Sequence, residues 1–360
     1  MGCVTDATDE PIVEEIDPMQ LLWSTESFEY VGIGIESSPY LIGDSTVLMS
    51  AGGNLRLHNQ QTGDLIWETF ISSGTNIQTE IFAVDEDRIY APHVSEVRSW
   101  DLHTGELVWS TEFPNDRGAM GGELVLDNEK LYVAGWHHVH CLDPISGGLL
   151  WSSLLGDSTA VNDLVLYEGK LYAGTGGFVP KGVFVLDPST GDSLDIFTIN
   201  SGRGKILNAP VFDGSIMFVG TSWRSPMAIE AWNIDSHAKV WSTGYPGGGM
   251  SFINHSMIID DLVIFSMPPF EIGAWNRETG AEEWLISPTG AGGWSRIGYD
   301  GSWLYYEHGY NIQVIEPQTG SIVHVLKSGA EHSFDKLTVT NDKIFVHGTR
   351  RNMCYSTYRP

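Results

Sequence analysis

The sequence predicts an all-β fold, an eight-bladed β-propeller of four-stranded antiparallel blades. A motif of the form Asp-x-x-Thr-Gly, followed four residues later by tryptophan, recurs in seven copies of varying completeness. Its glycine positions are separated by 42, 42, 44, 46, 43 and 40 residues, and a period of about 40 to 45 residues is typical of a propeller blade. The two chain ends supply the strands of an eighth blade. The seven positions are Gly63, Gly105, Gly147, Gly191, His237, Gly280 and Gly320.

The first half of the motif predicts a tight turn between two antiparallel strands. In the copy at 99–111, Asp101 comes four residues before Gly105, and Thr104 directly precedes the glycine. An aspartate side chain can accept hydrogen bonds from backbone amides two or three residues ahead, and glycine adopts the positive φ that such a turn needs. We therefore expect one hairpin turn of this kind in every repeat.

The tryptophan of the motif predicts the contact between neighbouring blades, because its large ring is suited to filling the space between two sheets. Two copies depart from the pattern, with Asp195 and His324 in place of the tryptophan. The sequence leaves the role of these irregular blades open. The motif tryptophans are Trp67, Trp109, Trp151, Trp241 and Trp284.

Each period contains four strands, called A, B, C and D in chain order. Blade 3 shows them well, at 122–127, 130–136, 138–143 and 148–154. In such a meander the A–B and C–D turns lie at one end of the propeller, here called the turn face. The B–C and D–A connections lie at the other end, called the loop face. The D–A connections are long and rich in glycine, and variable loops on a rigid scaffold are where binding usually occurs.

The two ends of the chain are expected to close the ring together. Residues 20–28 contain the second half of the motif, with Trp23 lying 44 residues before Trp67, one period away. Residues 336–360 contain three strands and stop where a fourth is due. We therefore predict that 20–28 forms the outer strand of the last blade by pairing with the region 352–358.

Composition separates a short tether from one large domain. Residues 1–18 contain six acidic residues and no basic residue, which predicts a flexible acidic tether at 1–19 before a propeller at 20–360. The whole chain has 19 basic and 46 acidic residues, a net charge of −27. This balance argues against nucleic acid as a partner, because phosphate binding depends on lysine and arginine. The chain has no run of eighteen apolar residues, so the sequence predicts no transmembrane helix.

Three cysteines, Cys3, Cys141 and Cys354, stand in no metal-ligand spacing, and their odd number indicates no disulfide framework. Cys141 and Cys354 share a column of strand C and are expected to be buried thiols. Cys3 leaves two interpretations open. Because Gly2 and Cys3 resemble the end of a bacterial lipobox, Cys3 is either the lipid-bearing first residue of a mature lipoprotein or an accidental cysteine in a tail.

The repeats resemble the PQQ-like repeats of a known propeller family. Residues 37–67 are the fullest copy, and the resemblance extends over about 20–360. The family includes quinoprotein dehydrogenases and BamB, the lipoprotein of the outer-membrane β-barrel assembly machine. A quinoprotein alcohol dehydrogenase is expected to have a vicinal Cys-Cys pair, Ca²⁺ ligands and a longer chain, and this sequence has no Cys-Cys pair. In size, blade count, single-domain layout and the possible Cys3 anchor the chain is more similar to BamB, and this resemblance implies no cofactor and no catalytic residue.

A pair of histidines in blade 3 is a weaker candidate for a metal site. His138 and His140 would share one side of strand C, and two imidazoles at that spacing can bind a metal ion. A third ligand is not evident in the sequence. We therefore expect solvent-exposed histidines and no metal.

The sequence predicts a partner-binding surface on the loop face over blades 3 to 6. Bulky apolar residues stand at or beside B–C turns, which ordinarily prefer small polar residues, and basic residues stand in nearby loops. Aromatic residues with arginine are the usual composition of an interface hot spot. In the alternative interpretation the rings fill their own loops and the bases pair with local carboxylates. The apolar residues are Trp136, Phe178, Trp223, Met227 and Phe270, and the basic residues are Arg117, Arg203, Lys205, Arg224 and Arg296.

Two functions from different classes remain open. The first is a monomeric, non-catalytic scaffold, exported to the periplasm or cell surface and anchored by a lipid on Cys3, that binds an envelope or membrane protein. The second is an enzyme or ligand-binding propeller that uses the mouth of the central channel for a small acidic or sugar-like ligand. Convergent carboxylates with perturbed pKa values at that mouth would favour the enzyme.

Overall fold

A computed structural model of the protein describes most of the chain, and all its regular secondary structure is β-strand. No helix in the described ranges is long and apolar enough to cross a membrane. These ranges are 17–25, 38–51, 53–71, 82–93, 95–113, 124–127, 129–156, 159–177, 182–199, 205–206, 209–222, 227–245, 255–267, 271–287, 296–328, 333–348 and 350–360.

The strands form eight antiparallel sheets, which confirms the eight-bladed propeller. Blade 8 takes its outer strand, β1 (Leu21–Ser24), from the beginning of the chain. Blades 1 and 2 consist of β2 (Tyr40–Ile42), β3 (Thr46–Ala51), β4 (Asn54–Asn59), β5 (Leu65–Phe70), β6 (Ala83–Val84), β7 (Arg88–His93), β8 (Glu96–Asp101) and β9 (Leu107–Glu112). Blades 3 and 4 consist of β10 (Leu124–Asp127), β11 (Lys130–Ala134), β12 (His138–Leu142), β13 (Leu149–Leu154), β14 (Thr159–Tyr167), β15 (Lys170–Gly177), β16 (Gly182–Leu186) and β17 (Ser193–Thr198).

The remaining blades repeat the same order, except that two short strands share the inner position of blade 5. Blade 5 consists of β18 (Lys205–Ile206) and β19 (Val211–Asp213), which both pair with β20 (Ile216–Ser222), and of β21 (Met227–Asn233) and β22 (Lys239–Tyr245). Blades 6 and 7 consist of β23 (His255–Ile259), β24 (Leu262–Met267), β25 (Glu271–Asn276), β26 (Glu282–Ile286), β27 (Ile297–Tyr299), β28 (Leu304–His308), β29 (Asn311–Ile315) and β30 (Ile322–Lys327). Blade 8 consists of β31 (Phe334–Val339), β32 (Lys343–Gly348), β33 (Asn352–Ser356) and β1.

The A strands surround the axis of the propeller, and the D strands form its outer wall. A strands of neighbouring blades contact one another, as β10 does with both β6 and β14. The B and C strands are almost fully buried, whereas D strands such as β9 alternate between exposed and half-buried side chains. The core is therefore a series of apolar layers between successive blades.

The predicted turns are present, and the side chain that begins each turn satisfies its backbone. Asp101 Oδ1 accepts hydrogen bonds from the amides of His103 and Thr104, at 2.9 and 2.8 Å. Gly105 has a φ of +72°. His237, which takes the glycine position in blade 5, also has a positive φ of 57°. The turn geometry is thus preserved even where the glycine is not.

The motif tryptophans connect each blade to the next, as predicted. Each ring lies on the turn glycine of the following blade, where an added Cβ would come within 3 Å of the ring. Each indole nitrogen also donates a hydrogen bond of 2.9 to 3.2 Å to the backbone oxygen three residues before that glycine. The donor and acceptor residues are Trp23 with Gln60, Trp67 with Leu102, Trp109 with Pro144, Trp151 with Pro188, Trp241 with Arg277, and Trp284 with Pro317.

Blade 4, one of the two blades without this tryptophan, has a different contact at the same place. Asp195 stands in the tryptophan position of blade 4, and His237 stands in the glycine position of blade 5. The imidazole Nε2 of His237 lies 2.9 Å from Asp195 Oδ2, and its ring stacks on Phe197 at 4.9 Å between centroids. The space between blades 4 and 5 is therefore filled by His237 from the turn of blade 5. At the junctions with a tryptophan, the same space is filled from the D strand of the preceding blade.

The predicted closure of the ring is confirmed. β1 pairs antiparallel with β33, with Trp23 opposite Cys354 and Ser24 opposite Met353. Of the predicted segment 20–28, residues 26–28 lie outside the described ranges. Blade 8 has no C–D turn, because its C and D strands come from opposite chain ends. Residues from the two chain ends occupy the position of the missing turn, beside His324 of blade 7. His324 Nε2 lies 3.1 Å from Asp17 Oδ1, and the His324 ring stacks on Tyr358.

The two internal cysteines are buried thiols, as predicted. Cys141 and Cys354 lie in β12 and β33 and form no disulfide. Burial raises the pKa of each thiol to about 12. Both thiols are therefore protonated at neutral pH and belong to the apolar core.

Candidate functional site

The best described part of the predicted surface is the B–C turn of blade 3. Gly135 donates a backbone hydrogen bond to His138 at 2.8 Å, which closes a tight turn around Trp136. Val161 of blade 4 donates to the backbone oxygen of Trp136 at 3.2 Å. The Trp136 side chain is 43% exposed. The turn thus holds a large, partly exposed aromatic ring on a fixed backbone.

The other predicted surface residues are described only in part. Arg296 is half-buried and directly precedes β27 in blade 7. Lys205 begins β18, so it lies in a strand and not in an irregular loop. Met227 begins β21 beside the B–C connection of blade 5. The remaining predicted residues lie outside the described ranges; they are Cys3, Arg117, Phe178, Arg203, Trp223, Arg224 and Phe270.

The histidines beside Trp136 form a stack. His138 and His140 lie on one side of β12, as predicted, with ring centroids 5.5 Å apart. His140 is buried and stacks on Phe113 at 4.2 Å, so the expectation that these histidines are exposed is wrong for His140. Its burial follows from the packing of blade 2 against this strand. Within the described part of the chain, no group of three or more histidine, cysteine or acidic side chains is placed to hold a metal ion.

A second cluster of polar groups lies at the loop-face ends of the inner strands of blades 6 to 8. His255 pairs with Ser266 across β23 and β24, and Lys336 pairs with His347 across β31 and β32. Arg296 occupies the corresponding position in blade 7, since its backbone oxygen accepts a hydrogen bond from Glu307. Three successive blades therefore have a nitrogen base or a cation at equivalent inner positions.

The B strands behind these residues break a pattern of small residues. The equivalent B-strand positions of blades 1 to 6 hold Ser50, Pro92, Ala134, Gly174, Gly220 and Ser266. Blades 7 and 8 hold Glu307 and His347, which are each only 1% exposed. His347 Nδ1 lies 2.7 Å from Asn352 Oδ1, where every other blade has an aliphatic residue. Blades 7 and 8 thus have buried polar side chains at positions where the other blades have small or aliphatic residues.

The electrostatics of this cluster keep His255 neutral. Burial, which is the largest cause, and the positive charges of Arg296 and Lys336 together lower the pKa of His255 to about 3. The Lys336 side chain is 3% exposed. A neutral imidazole beside two cations can accept a hydrogen bond, and the local positive potential favours an anion over a cation.

Sequence reasoning missed His255, Glu307 and Lys336. The signal was present in the register of the strands, because a column of Ser, Pro, Ala, Gly, Gly and Ser becomes Glu and His in the last two blades. This column becomes visible only when the B strands of all eight blades are compared in register.

The turn face has a cavity of about 760 Å³ between blades 2 and 3. Its wall includes Asp85, Asp87, Asp127 and Glu129, together with Arg88. Asp85 and Asp127 already accept backbone hydrogen bonds within their own A–B turns. These carboxylates therefore shape the turns, and the cavity is an acidic recess at the end opposite to the predicted surface.

Comparison with known proteins gives the family of this propeller. The family model described as "Outer membrane protein assembly factor BamB" matches residues 15–153 and, in a second overlapping match, residues 53–285. The chain belongs to the BamB family. The two matches together extend over residues 15–285. No match to a curated protein sequence was found.

Solved structures share the fold of this BamB-family chain at low sequence identity. BamB from Moraxella catarrhalis has a TM-score of 0.70 at 12% identity, covering 94% of this chain and 99% of that chain. The computationally designed Ika8 protein has a TM-score of 0.73 at 16% identity, covering 93% and 99%. The quinohemoprotein alcohol dehydrogenase ADHIIG from Pseudomonas putida HK5 has a TM-score of 0.72 at 10% identity, covering 95% and 76%. A BamB protein, a designed protein and an alcohol dehydrogenase share one architecture, so the fold alone does not decide between binding and catalysis.

Proposed function

We propose that this BamB-family propeller is a monomeric, non-catalytic scaffold that binds an envelope protein through its loop face. The observation that carries the proposal is Trp136, an exposed aromatic ring in a turn fixed by backbone hydrogen bonds. The match to a family of outer-membrane protein assembly factors supports a protein partner in the envelope.

The turn around Trp136 has the physical properties of a binding anchor. Aromatic rings bury a large area and lose little conformational entropy when they are already held in place. Because Gly135 and Val161 fix the backbone on both sides, ordering the turn costs little on binding. Water offers no favourable interaction for most of this ring, so a partner that covers it gains hydrophobic free energy.

A photo-crosslinking experiment tests the surface directly. A crosslinking amino acid is placed at position 136 on the loop face or at Ile145 on the turn face, which is also exposed. We expect crosslinks to an outer-membrane or envelope protein in intact cells from position 136 and few from position 145. Equal crosslinking from both positions, or none from 136, contradicts the proposal.

Alanine substitutions on the loop face measure the energy of the contact. Trp136→Ala, Trp223→Ala and Phe270→Ala should each weaken capture of the crosslinked partner by about 1 to 4 kcal/mol and leave the melting temperature nearly unchanged. If the substitutions instead lower the melting temperature, the rings belong to loop cores and the surface lies elsewhere.

We further propose that a lipid on Cys3 anchors the propeller through the acidic tether. The described chain begins at Asp17, beside the outer wall of blade 7, so residues 3–16 can separate the folded body from a membrane. Expressed with its native leader, the protein should sediment with membranes, and Cys3→Ser should release it. A natural gene that begins at Met1 with no upstream leader contradicts this anchor.

The second candidate function, binding of a small anion at the channel mouth, is favoured by the cluster of His255, Arg296 and Lys336. Burial also raises the pKa of Glu271, but this residue begins a C strand, away from the inner strands. Calorimetric titration with succinate tests the idea. Saturable binding that Arg296→Gln abolishes supports it, and absence of heat at millimolar succinate contradicts it.

A further inference from the structure

The outer strands of the blades differ in how they are protected. Each D strand pairs with a C strand on one side only, so its other edge has backbone groups that no strand of the described chain covers. Natural proteins commonly place charged residues on such edges to prevent pairing with another chain. Six of the eight described D strands contain a charged side chain. They are β5 with Glu68, β9 with Glu112, β17 with Asp195, β22 with Lys239, β26 with Glu282 and Glu283, and β30 with Lys327.

β13 of blade 3 is the long exception. It has six residues, Leu149–Leu154, and none is charged. Leu149, Leu150 and Leu154 are 53%, 52% and 54% exposed. The other uncharged D strand, β1, has only four residues and lies at the seam of the ring. An uncharged edge with exposed leucines is the kind of edge to which an extended peptide can add.

The geometry of β13 defines where an added strand can pair. A bulge interrupts its pairing with β12, because Cys141 lies opposite Trp151 and Leu142 lies opposite Leu149. Beyond the bulge, the ladder is regular from Trp151 to Leu154. Since Trp151 turns towards Gly191 of blade 4, Ser152 and Leu154 face the opposite side. An added strand can thus pair along the last four residues and place an apolar side chain against Leu154.

Charge complementarity indicates the chemistry of the occupant. The D strands on both sides of β13 contain only acidic charged residues, Glu112 in β9 and Asp195 in β17. The whole chain has a net charge of −27. An acidic peptide is repelled from this wall, whereas lysine or arginine at the ends of an apolar strand is attracted.

We propose that β13 binds a short extended segment of a partner protein by strand addition, and that this segment is apolar at alternate positions and basic at its ends. The inference rests on the proposed scaffold function, but it places a contact on the outer wall and not on the loop face. Backbone hydrogen bonds give such a contact its affinity, and the leucines and flanking acids give it its selectivity.

The test uses the full chain and a synthetic peptide, Lys-Lys-Val-Thr-Val-Thr-Val-Lys-Lys, with a control peptide that has proline at the central valine. Binding is measured by calorimetry, and the site by hydrogen exchange of backbone amides. We expect saturable binding of the first peptide, protection confined to β13, and no binding of the control. No binding of either peptide, or protection of a different D strand, overturns the proposal.

Two matched variants separate the edge from general charge effects. Ser152→Lys adds to β13 the kind of charge that protects other edges, and Val325→Lys makes the same change at the equivalent position of β30. Ser152→Lys should weaken binding of the basic peptide at least about fivefold, while Val325→Lys should leave it unchanged. Equal binding by Ser152→Lys and the unmodified protein overturns the proposal, provided that the two proteins melt at the same temperature.

The outcomes also separate this inference from the proposed function. Crosslinking at position 136 without peptide binding contradicts strand addition alone. Peptide binding at β13 without crosslinking at position 136 contradicts the loop-face interface alone.

Discussion

Gly105 contributes to stability in two separate ways, through its backbone conformation and through its lack of a side chain. Its φ is +72°, and an added Cβ would lie 2.7 Å from Cε3 of Trp67. We expect Gly105→Ala to lower the free energy of unfolding by about 2 to 4 kcal/mol, from about 1 kcal/mol of backbone strain and about 1 to 3 kcal/mol of overpacking. Urea denaturation measures the change.

Gly169 provides the control for this prediction. It has nearly the same φ, +71°, but an added Cβ meets nothing within 4 Å. Gly169→Ala should therefore cost only the backbone strain, about 1 kcal/mol. Equal losses for the two variants would show that the tryptophan contact contributes nothing.

His255 should make the stability of the propeller depend on pH. Its pKa is about 3 in the folded protein and about 6.5 in an unfolded chain. The unfolded chain therefore binds more protons between these values, and stability falls as the pH is lowered through this window. His255→Gln should flatten the fall in melting temperature between pH 7 and pH 4. An unchanged slope contradicts the low pKa, although His58 and His93 add a slope of the same sign because burial also lowers their pKa values.

At the scale of single residues, the sequence predicted roles that depend on local chain geometry and missed those that depend on other blades. The turn glycines and the exposure of Trp136 follow from position within one repeat. The low pKa of His255 follows from its burial and from the charges of Arg296 and Lys336, which are 41 and 81 residues away in the chain. A single repeat contains no information about that neighbourhood.

At the contact between blades 4 and 5, the D strand and the C–D turn exchange roles: the large side chain comes from the turn and the small one from the strand. At six of the eight junctions a tryptophan projects from a D strand onto a glycine, whereas here His237 projects from the turn towards Asp195. The sequence showed both departures from the motif, but not that they belong together. The two residues are adjacent only because successive blades stack.

A double-mutant cycle tests this pairing. Asp195→Trp alone should clash with His237, and His237→Gly alone should leave a gap beside Phe197, each costing about 1 to 3 kcal/mol. Together they recreate the common contact, with the new indole donating to the backbone oxygen of Ile234. We expect a coupling free energy of about 1 to 3 kcal/mol in favour of the double variant. Additive effects in urea denaturation would contradict the exchange.

For the whole molecule, β1 determines whether the ring is closed. Trp23 is buried between blades 8 and 1 and donates to Gln60 at 3.0 Å. A chain that starts at residue 30 should lose at least about 3 kcal/mol, the cost of removing a buried tryptophan, and should leave β33 as an open edge. Melting temperature and sedimentation velocity measure the two effects.

A chain that starts at residue 17 is the matched control for closure. It keeps β1 and the contact of Asp17 with His324, so it should melt like the full chain. If the chain starting at residue 30 also melts and sediments like the full chain, the ring does not depend on its N-terminal strand.

The architecture could be predicted almost completely because the same turn motif and strand pattern recur from repeat to repeat. Seven copies of one turn fixed the blade count, and the two incomplete copies fixed the closure. The proposed binding surface occurs once in the chain and has no such redundancy. Trp136 could be identified from the sequence because tight turns ordinarily prefer small polar residues. The uncharged edge of β13, in contrast, is recognised only by comparison with the seven other outer strands.

The position of tryptophan and glycine within each repeat has a consequence for the evolution of the chain. A regular repeat supplies the tryptophan for its contact with the following blade and the glycine for its contact with the preceding blade. A gene duplication that copies one whole period therefore introduces a blade that already fits both neighbours. Recombination between the segments encoding Asp195 and His237 would instead separate a histidine from its acid, and the His324 contact can form only at the join of the two chain ends. At these two places the contact depends on which segments are neighbours, whereas the same tryptophan–glycine contact recurs at the other six junctions.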